Sequence, residues 1–228
     1  MLFRELIYRN KKLIKFFDKI ENKFYELQIK GISNNSKKIK ENYIFVAIRG
    51  NKKNGNDFIS EAKKNGSKII ISSEKRDKDI LYLENANISL IYALLCSSFY
   101  NKSPENIIGV TGTNGKTSIV DFCRQMWSLA GWNSASIGTL GVKYLNDTNY
   151  KNNTNNLTTL DPMELHNQLS SLHKKNITHL ALEASSHGII QNRIAGINFT
   201  GAVFINLSHD HLDFHNSTQN YYNAKKLL

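Results

Sequence analysis

Residues 109–117 read Gly109-Val110-Thr111-Gly112-Thr113-Asn114-Gly115-Lys116-Thr117 and follow directly on the apolar pair Ile107-Ile108. This run constrains the fold more than any other, because it joins a strand, a phosphate-cradling turn and a helix start within nine residues. Small residues let backbone N–H groups turn inward around an anion, and the following helix adds the positive end of its dipole. Gly112, Thr113, Asn114 and Gly115 form the turn, and Ser118 lies just inside the helix. Lys116 is placed to reach β- and γ-phosphates, and the Thr117 hydroxyl to ligate Mg²⁺. Five residues before Gly115, where the general pattern has its first glycine, stands Val110. The segment predicts a nucleoside-triphosphate site.

A strand of this kind needs a sheet around it, and strands and helices alternate along the rest of the chain. Residues 43–48 read as a buried strand, followed by a polar loop over 49–56 with two glycines. Asp57 is positioned to cap a short helix through Lys64, which Gly66 stops, and 68–72 form the next strand. Residues 87–100 read as a helix ending near Ser103-Pro104, a linker into a second unit. The expected division is a small α/β domain with a linker helix over 1–103 and a P-loop domain over 104–228.

In the second domain a helix over 116–130 is closed by Gly131, and 134–138 and 141–145 are short strands. Residues 146–156 form an asparagine-rich loop. Asp161-Pro162-Met163-Glu164 marks a helix start, with a capping side chain, proline at the first helical position and glutamate at the third. Residues 178–184 and 202–206 are apolar runs suited to a parallel sheet covered on both faces, and a last helix starts near Thr218. The fold class expected is α/β: a small α/β domain, then a doubly wound, mostly parallel P-loop sheet. With few strands counted before the final helix, the second domain reads as incomplete.

Composition narrows the partners. The formal net charge is +11, which favours anionic substrates. The lysines are spread along the chain among asparagines and isoleucines rather than gathered in a stripe, so no nucleic-acid partner is expected. Cys96 and Cys123 both fall in helical segments without a CxxC or Cys/His cluster, as free thiols in a reducing cytosol would. Residues 1–20 mix charges with apolar residues at helical spacing and read as a surface helix, not a signal peptide. The apolar window 88–100 is too short to span a bilayer.

Three further clusters stand at strand ends, where open parallel sheets place their ligand sites. Glu183-Ala184-Ser185-Ser186-His187-Gly188 brings a carboxylate out of a strand beside the P-loop, well placed to hold Mg²⁺. Asn206-Leu207-Ser208-His209-Asp210-His211-Leu212-Asp213 gathers two histidines and two aspartates that have no packing role to play. Together behind a P-loop, these two clusters indicate a metal and phosphate site. Leu157-Thr158-Thr159-Leu160-Asp161 offers hydroxyls to an anionic or sugar ligand, or simply caps the next helix.

These segments, with Gln191-Asn192-Arg193 and Tyr222-Asn223-Ala224-Lys225, occur in one order that resembles the Mur ligases of peptidoglycan synthesis. The resemblance runs from about residue 30 to the C-terminus and is dense from 107 onward. A P-loop without its first glycine is itself a feature of that family. The resemblance implies a cytoplasmic, monomeric, ATP-dependent amide ligase that joins a diamino acid to UDP-N-acetylmuramoyl-L-Ala-D-Glu through an acyl phosphate. Meso-diaminopimelate is expected ahead of L-lysine, because it is the commoner choice in Gram-negative members. No membrane insertion is implied.

By the same resemblance the catalytic set is Lys116, Glu183, His211 and Lys225. One Mg²⁺ would use Thr117 and Glu183, and a second Glu183, His211 and Lys225, the lysine being carbamylated by CO₂ and so anionic. Substrate contacts carried over are Thr158, Thr159, Ser185, Gln191 and Arg193, with Ser36 on the uridine. Asn35 and Lys37 stand where aspartate and arginine are usual, Leu160 where proline is common, Leu157 where some members have asparagine and His209 where arginine is common. Members of the family carry the rest of the central domain and a third domain that chooses the amino acid. The 228 residues by themselves are therefore expected to bind nucleotide weakly and to turn over negligibly. A binding-only module and a small-molecule kinase are the alternatives, and the pairing of Ser-Ser-His-Gly with Asp-His-Leu-Asp speaks against the related folylpolyglutamate synthases.

Overall fold

The computed structural model describes residues 1–50, 53–74, 77–78, 80–84, 86–144 and 157–228. The asparagine-rich loop expected over 146–156, the final residue of the strand expected over 141–145, and residues 51–52 of the loop expected over 49–56 lie outside the described residues. The chain divides into two compact units, Met1–Asn101 and Lys102–Leu228. Among the described residues no helix is long and apolar enough to cross a membrane.

The first unit holds a four-stranded parallel sheet in the order β1 (Gly31–Ser33), β2 (Tyr43–Val46), β3 (Ser67–Ser72), β4 (Ile80–Tyr82). The outer strands have three residues each, too few to show a period in the sequence. The expected N-terminal surface helix is instead two short ones, α1 (Phe3–Tyr8) and α2 (Lys11–Phe17). The chain breaks at Asn10, whose side chain accepts from the Lys12 N–H and caps α2. Phe3, Leu6, Ile7, Leu13 and Phe17 are buried, so the apolar stripe faces a core rather than lying on the surface.

After α3 (Asn22–Tyr25), a one-turn 3₁₀ helix, Gly55–Phe58, leads into α4 (Ile59–Lys64). In place of the expected cap at Asp57, Asn54 caps the 3₁₀ turn and accepts from the Asn56 N–H, because the chain turns three residues earlier. The helix α5 (Ile88–Tyr100) is capped by Asn87 and ends at Asn101 in the left-handed conformation. It is buried on most of its faces.

The second unit is built on β5 (Asn106–Thr111), β6 (Ser134–Gly138), β7 (Gly141–Tyr144), β8 (His179–Glu183) and β9 (Gly201–Phe204), in the order β7-β6-β8-β5-β9. All pairings are parallel except β6 with β7. Helix α6 (Lys116–Leu129) follows the P-loop, and α7 (Pro162–Lys174) starts at Asp161, which accepts from the Met163 N–H. Leu180 and Leu182 of β8 join Ile107, Ile137, Leu165 and Leu169 in one core, while Ala181 joins Val110 and Val120 in another. The sheet is therefore covered on both faces, the physical reason that β8 reads as a continuous apolar run. Short helices α8 (Ser186–Ile190) and α9 (Leu212–His215) precede α10 (Thr218–Lys225), capped by Ser217. An α/β architecture with mostly parallel sheets is what the sequence led us to expect.

Parallel register brings the C-terminal ends of four strands to one edge. Val110 pairs with Glu183 and Thr111 with Phe204, while Ile137 pairs with Leu182. The turn after Thr111, the Gly138-Thr139 turn, Glu183 and Asn206 consequently leave the sheet side by side.

Candidate functional site

The loop between β5 and α6 is drawn into a turn by Gly115, whose φ of +83° suits only a residue without a Cβ. No side chain caps α6, so the first N–H groups of that helix are directed outward at the loop's mouth. Lys116 folds back over the loop, and its Nζ donates to the Gly112 and Thr113 carbonyls at 2.8 and 2.9 Å. Burial pushes its pKa down, against the pull of Glu183 and Asp210. The lysine is thus held beside the anion cradle and near the carboxylate that leaves β8.

Glu183 is 1% exposed. Its Oε1 accepts from the Thr139 N–H at 2.9 Å and its Oε2 from the Thr139 hydroxyl at 3.1 Å. The Thr158 hydroxyl stands 3.2 Å from Thr139 Oγ1, so the predicted substrate-side threonine is one hydrogen bond from the carboxylate's holder. Thr117 and Glu183 line the same narrow crevice, with Asp121 and Lys143. A carboxylate that is buried, and has no cationic side chain within ion-pair distance among the described residues, is a fitting seat for a divalent cation. Thr111 adds a buried hydroxyl without a hydrogen-bond partner at the start of the loop.

Thr159 is fully buried and consumed internally. Its hydroxyl donates to the Glu183 carbonyl at 3.1 Å and accepts from the Ser185 N–H at 2.9 Å, with the Ser185 hydroxyl 2.9 Å away. Ser185 Oγ in turn accepts from the Gly188 N–H and caps α8. Arg193 donates to the Thr159 carbonyl at 2.8 Å and to Gln191 Oε1 at 2.5 Å, and its burial lowers its pKa. Thr159, Ser185, Gln191 and Arg193 are therefore joined in one network.

Lys225 is 2% exposed, and burial together with the charge of Lys116 lowers its pKa to about 8. Its Nζ lies 4.4 Å above the Tyr221 ring, and the Tyr221 hydroxyl donates to Thr113 Oγ1 at 3.2 Å. His211 has a φ of +52°, a left-handed conformation that a non-glycine residue holds only when its surroundings impose it. Its Nε2 is 3.4 Å from Asp210 Oδ2, and its ring meets His187 edge-on. No hydrogen bond or ion pair among the described residues joins Glu183, His211 and Lys225. Nor do three His, Cys, Asp or Glu side chains converge on one point among them. Ser36 lies in the first unit, buried, with its hydroxyl donating to Glu61 Oε2 at 2.5 Å.

Two residues of this site carried no signal when the motifs were read singly. Gly138 ends β6 and Thr139 follows it, and the strand-end rule that singled out Glu183 applies equally to them. Asn206 was part of a cluster noted for its histidines and aspartates. Its side-chain Oδ1 accepts from the Thr113 N–H at 3.0 Å and the Asn114 N–H at 3.1 Å, joining β9's exit to the P-loop.

Comparison with known proteins places this geometry in context. Residues 110–228 match the family model described as the Mur ligase middle domain, and 28–100 that of the Mur ligase family, catalytic domain. The UDP-N-acetylmuramoyl-L-alanyl-D-glutamate–2,6-diaminopimelate ligase of Rickettsia felis is 42% identical over 209 residues, 90% of this chain and 39% of that protein. The ligase of the same name from Brucella melitensis is 38% identical over 206 residues, 89% of this chain and 41% of that protein. A solved structure of a ligase so named superposes with a TM-score of 0.80 at 29% identity, covering 93% of this chain and 44% of the other. MurF ligase from Thermotoga maritima, solved with ADP, shares the fold at a TM-score of 0.57 and 23% identity, covering 91% of this chain and 44% of that one. The chain spans about two fifths of the length of the curated relatives it matches.

Proposed function

The chain belongs to the Mur ligase family, and from that premise we propose that it is the nucleotide-binding part of an ATP-dependent amide ligase. The substrates in this reading are UDP-N-acetylmuramoyl-L-Ala-D-Glu and a diamino acid, meso-diaminopimelate before L-lysine. The observation that carries it is the buried Glu183 carboxylate beside Thr117, behind a P-loop whose lysine is held on the loop's own carbonyls. Residues 1–103 would hold the UDP end of the substrate through Ser36, and 104–228 the triphosphate. The first relatives named above are diaminopimelate ligases, which favours that amino acid.

The chemistry brings two anions together. An oxygen of the D-Glu carboxylate attacks the γ-phosphorus and ADP leaves, giving an acyl phosphate. The amine then attacks the acyl carbon and phosphate departs, leaving the amide. Lys116 neutralises charge on the β- and γ-phosphates, and the helix N–H groups from Lys116 to Ser118 take the remaining oxygens. Thr158, Ser185, Gln191 and Arg193 orient the incoming substrate, and Thr159 holds Ser185 and Arg193 in register.

Thr117 and Glu183 are the residues that would hold a first Mg²⁺, which supplies charge neutralisation between the approaching anions. Glu183, His211 and a carbamylated Lys225 are the proposed ligands of a second. Carbamylation needs a neutral amine to attack CO₂ and shed a proton, and the lowered pKa of Lys225 supports it. The reading places the protein in the cytoplasm as a monomer, without a nucleic-acid or membrane partner.

The decisive experiment uses the full-length protein. Phosphate release should require the UDP-linked dipeptide and the diamino acid together. Transfer of the γ-phosphate to a stable product without an amine would instead make it a kinase. Residues 1–228 by themselves should bind nucleotide without turnover, and measurable ligation by them would refute that part of the reading.

A further inference from the structure

Asn206 leaves β9 at the sheet edge and is exposed, yet both its side chain and its backbone bond the P-loop. Its carboxamide oxygen accepts from two successive loop amides, Thr113 at 3.0 Å and Asn114 at 3.1 Å. Its Nδ2 donates to the Asn114 carbonyl at 3.2 Å, and its own carbonyl accepts from the Thr113 N–H at 3.2 Å. Two residues on, the Ser208 N–H donates to Thr113 Oγ1 at 3.0 Å and the Ser208 carbonyl accepts from that hydroxyl at 3.3 Å. At Gly112 an added Cβ would lie 3.1 Å from Ile205 Cβ, so the two strand exits already run at close quarters.

The consequence for the loop is a division of its amides. Those of Thr113 and Asn114 are turned sideways and satisfied by Asn206. Those at the start of α6 have no side-chain cap and face the mouth of the loop. A short polar side chain with an acceptor and a donor is what this grip requires, because it must satisfy an N–H pair and a carbonyl at once. Apolar side chains offer neither, and a carboxylate offers no donor.

We propose that Asn206 is a positioning residue for nucleotide binding: its carboxamide pins Thr113 and Asn114 so that the α6 amides and Lys116 are preset for a polyphosphate. The proposal rests on the nucleotide-binding reading above and adds to it a residue that acts through the loop rather than on the ligand. Preorganisation of this kind removes an ordering cost from binding, so its loss weakens affinity without unfolding the domain.

The test uses Asn206→Ala and Asn206→Leu in the 228-residue chain, with two readouts. Amide hydrogen exchange is followed at Thr113 and Asn114 without ligand, and MgADP and MgATP are titrated calorimetrically. In both variants the Asn114 amide should exchange at least tenfold faster, and the Thr113 amide, which keeps its bond to the Asn206 backbone carbonyl, by a smaller factor, while the β5 and β8 amides keep their protection. Affinity for both nucleotides should fall about tenfold. Unchanged affinity in the variants, alongside a wild type that does bind nucleotide, overturns the proposal and leaves the functional reading intact. A rise in affinity also overturns it, because the carboxamide would then be a competitor for amides that the phosphates need. If the wild type binds neither nucleotide, the proposal and the functional reading fall together. Unaltered exchange at Thr113 and Asn114 refutes the pinning itself, whatever the affinities.

Discussion

Replacing Gly138 with alanine should displace Glu183. The new Cβ would lie 2.1 Å from Glu183 Oε1, 2.4 Å from its carboxyl carbon and 2.5 Å from Cγ. Non-bonded carbon and oxygen atoms settle at about 3.5 Å, so the carboxylate has to retreat by more than about 1 Å. Retreat breaks the bonds from the Thr139 N–H and hydroxyl, now 2.9 and 3.1 Å. Hydrogen bonds to a charged group contribute about 1.5–3 kcal/mol each, and exposed Thr139 recovers part of that from water. A net loss of about 2–3 kcal/mol follows, or about 7–11 °C in the melting temperature of a unit this size. Gly138 is not in the left-handed region, so alanine's backbone preference adds no strain of its own. Thermal unfolding of a double-mutant cycle with Glu183→Ala isolates the cause. Once the carboxylate is gone, Gly138→Ala should cost less than about 0.5 kcal/mol. An equal cost in both backgrounds would refute the reasoning, since the strain would then lie elsewhere than in the Gly138–Glu183 contact.

Three other outcomes are expected. Lys116→Met should weaken nucleotide binding about 10- to 100-fold, the loss of charge-assisted bonds worth about 1.5–3 kcal/mol, and a fluorescent-nucleotide titration within twofold of wild type would contradict it. Thr159→Val removes a buried hydroxyl that serves Ser185 and Glu183, so urea unfolding should show a loss of about 2–3 kcal/mol; a loss under about 0.5 kcal/mol would show the hydroxyl to be dispensable. His166 is buried with Nε2 3.2 Å from the Ala195 carbonyl, and burial lowers its pKa from 6.5 to about 4. Below 6.5 the unfolded chain takes a proton that the folded one refuses, so stability falls as pH drops from 6.5 toward 4, by up to about 3 kcal/mol. His166→Gln should flatten that stretch of the pH–stability profile, and an identical slope in the variant would assign it to other groups.

Much of the second unit could be read directly because its signals are local. The P-loop turn, the Asp161 cap and the apolar run of β8 each depend on residues within a few positions of one another. The N-terminal segment was misjudged because its apolar spacing is that of any amphipathic helix, and only the partner surface decides whether that face is buried. The short strands β1 and β4 carry too few residues to show a period. Asp57 offered the right side chain for a cap, but Asn54 is the residue that stands where the chain actually turns.

The candidate site divides in the same way. The sequence by itself determined the α/β class, the glycine-rich turn between strand and helix and the strand ends that gather beside it, because backbone geometry and side-chain chemistry are encoded in short windows. Only the tertiary structure decided that Thr139 grips Glu183, that Thr159 is a buried strut within the Ser185–Arg193 network, and that Asn206 pins the P-loop. Those contacts cross 44, 26 and 93 positions of chain. Parallel pairing of β5 with β8 and β9 sets them, and that register is a property of the packed sheet rather than of any one strand.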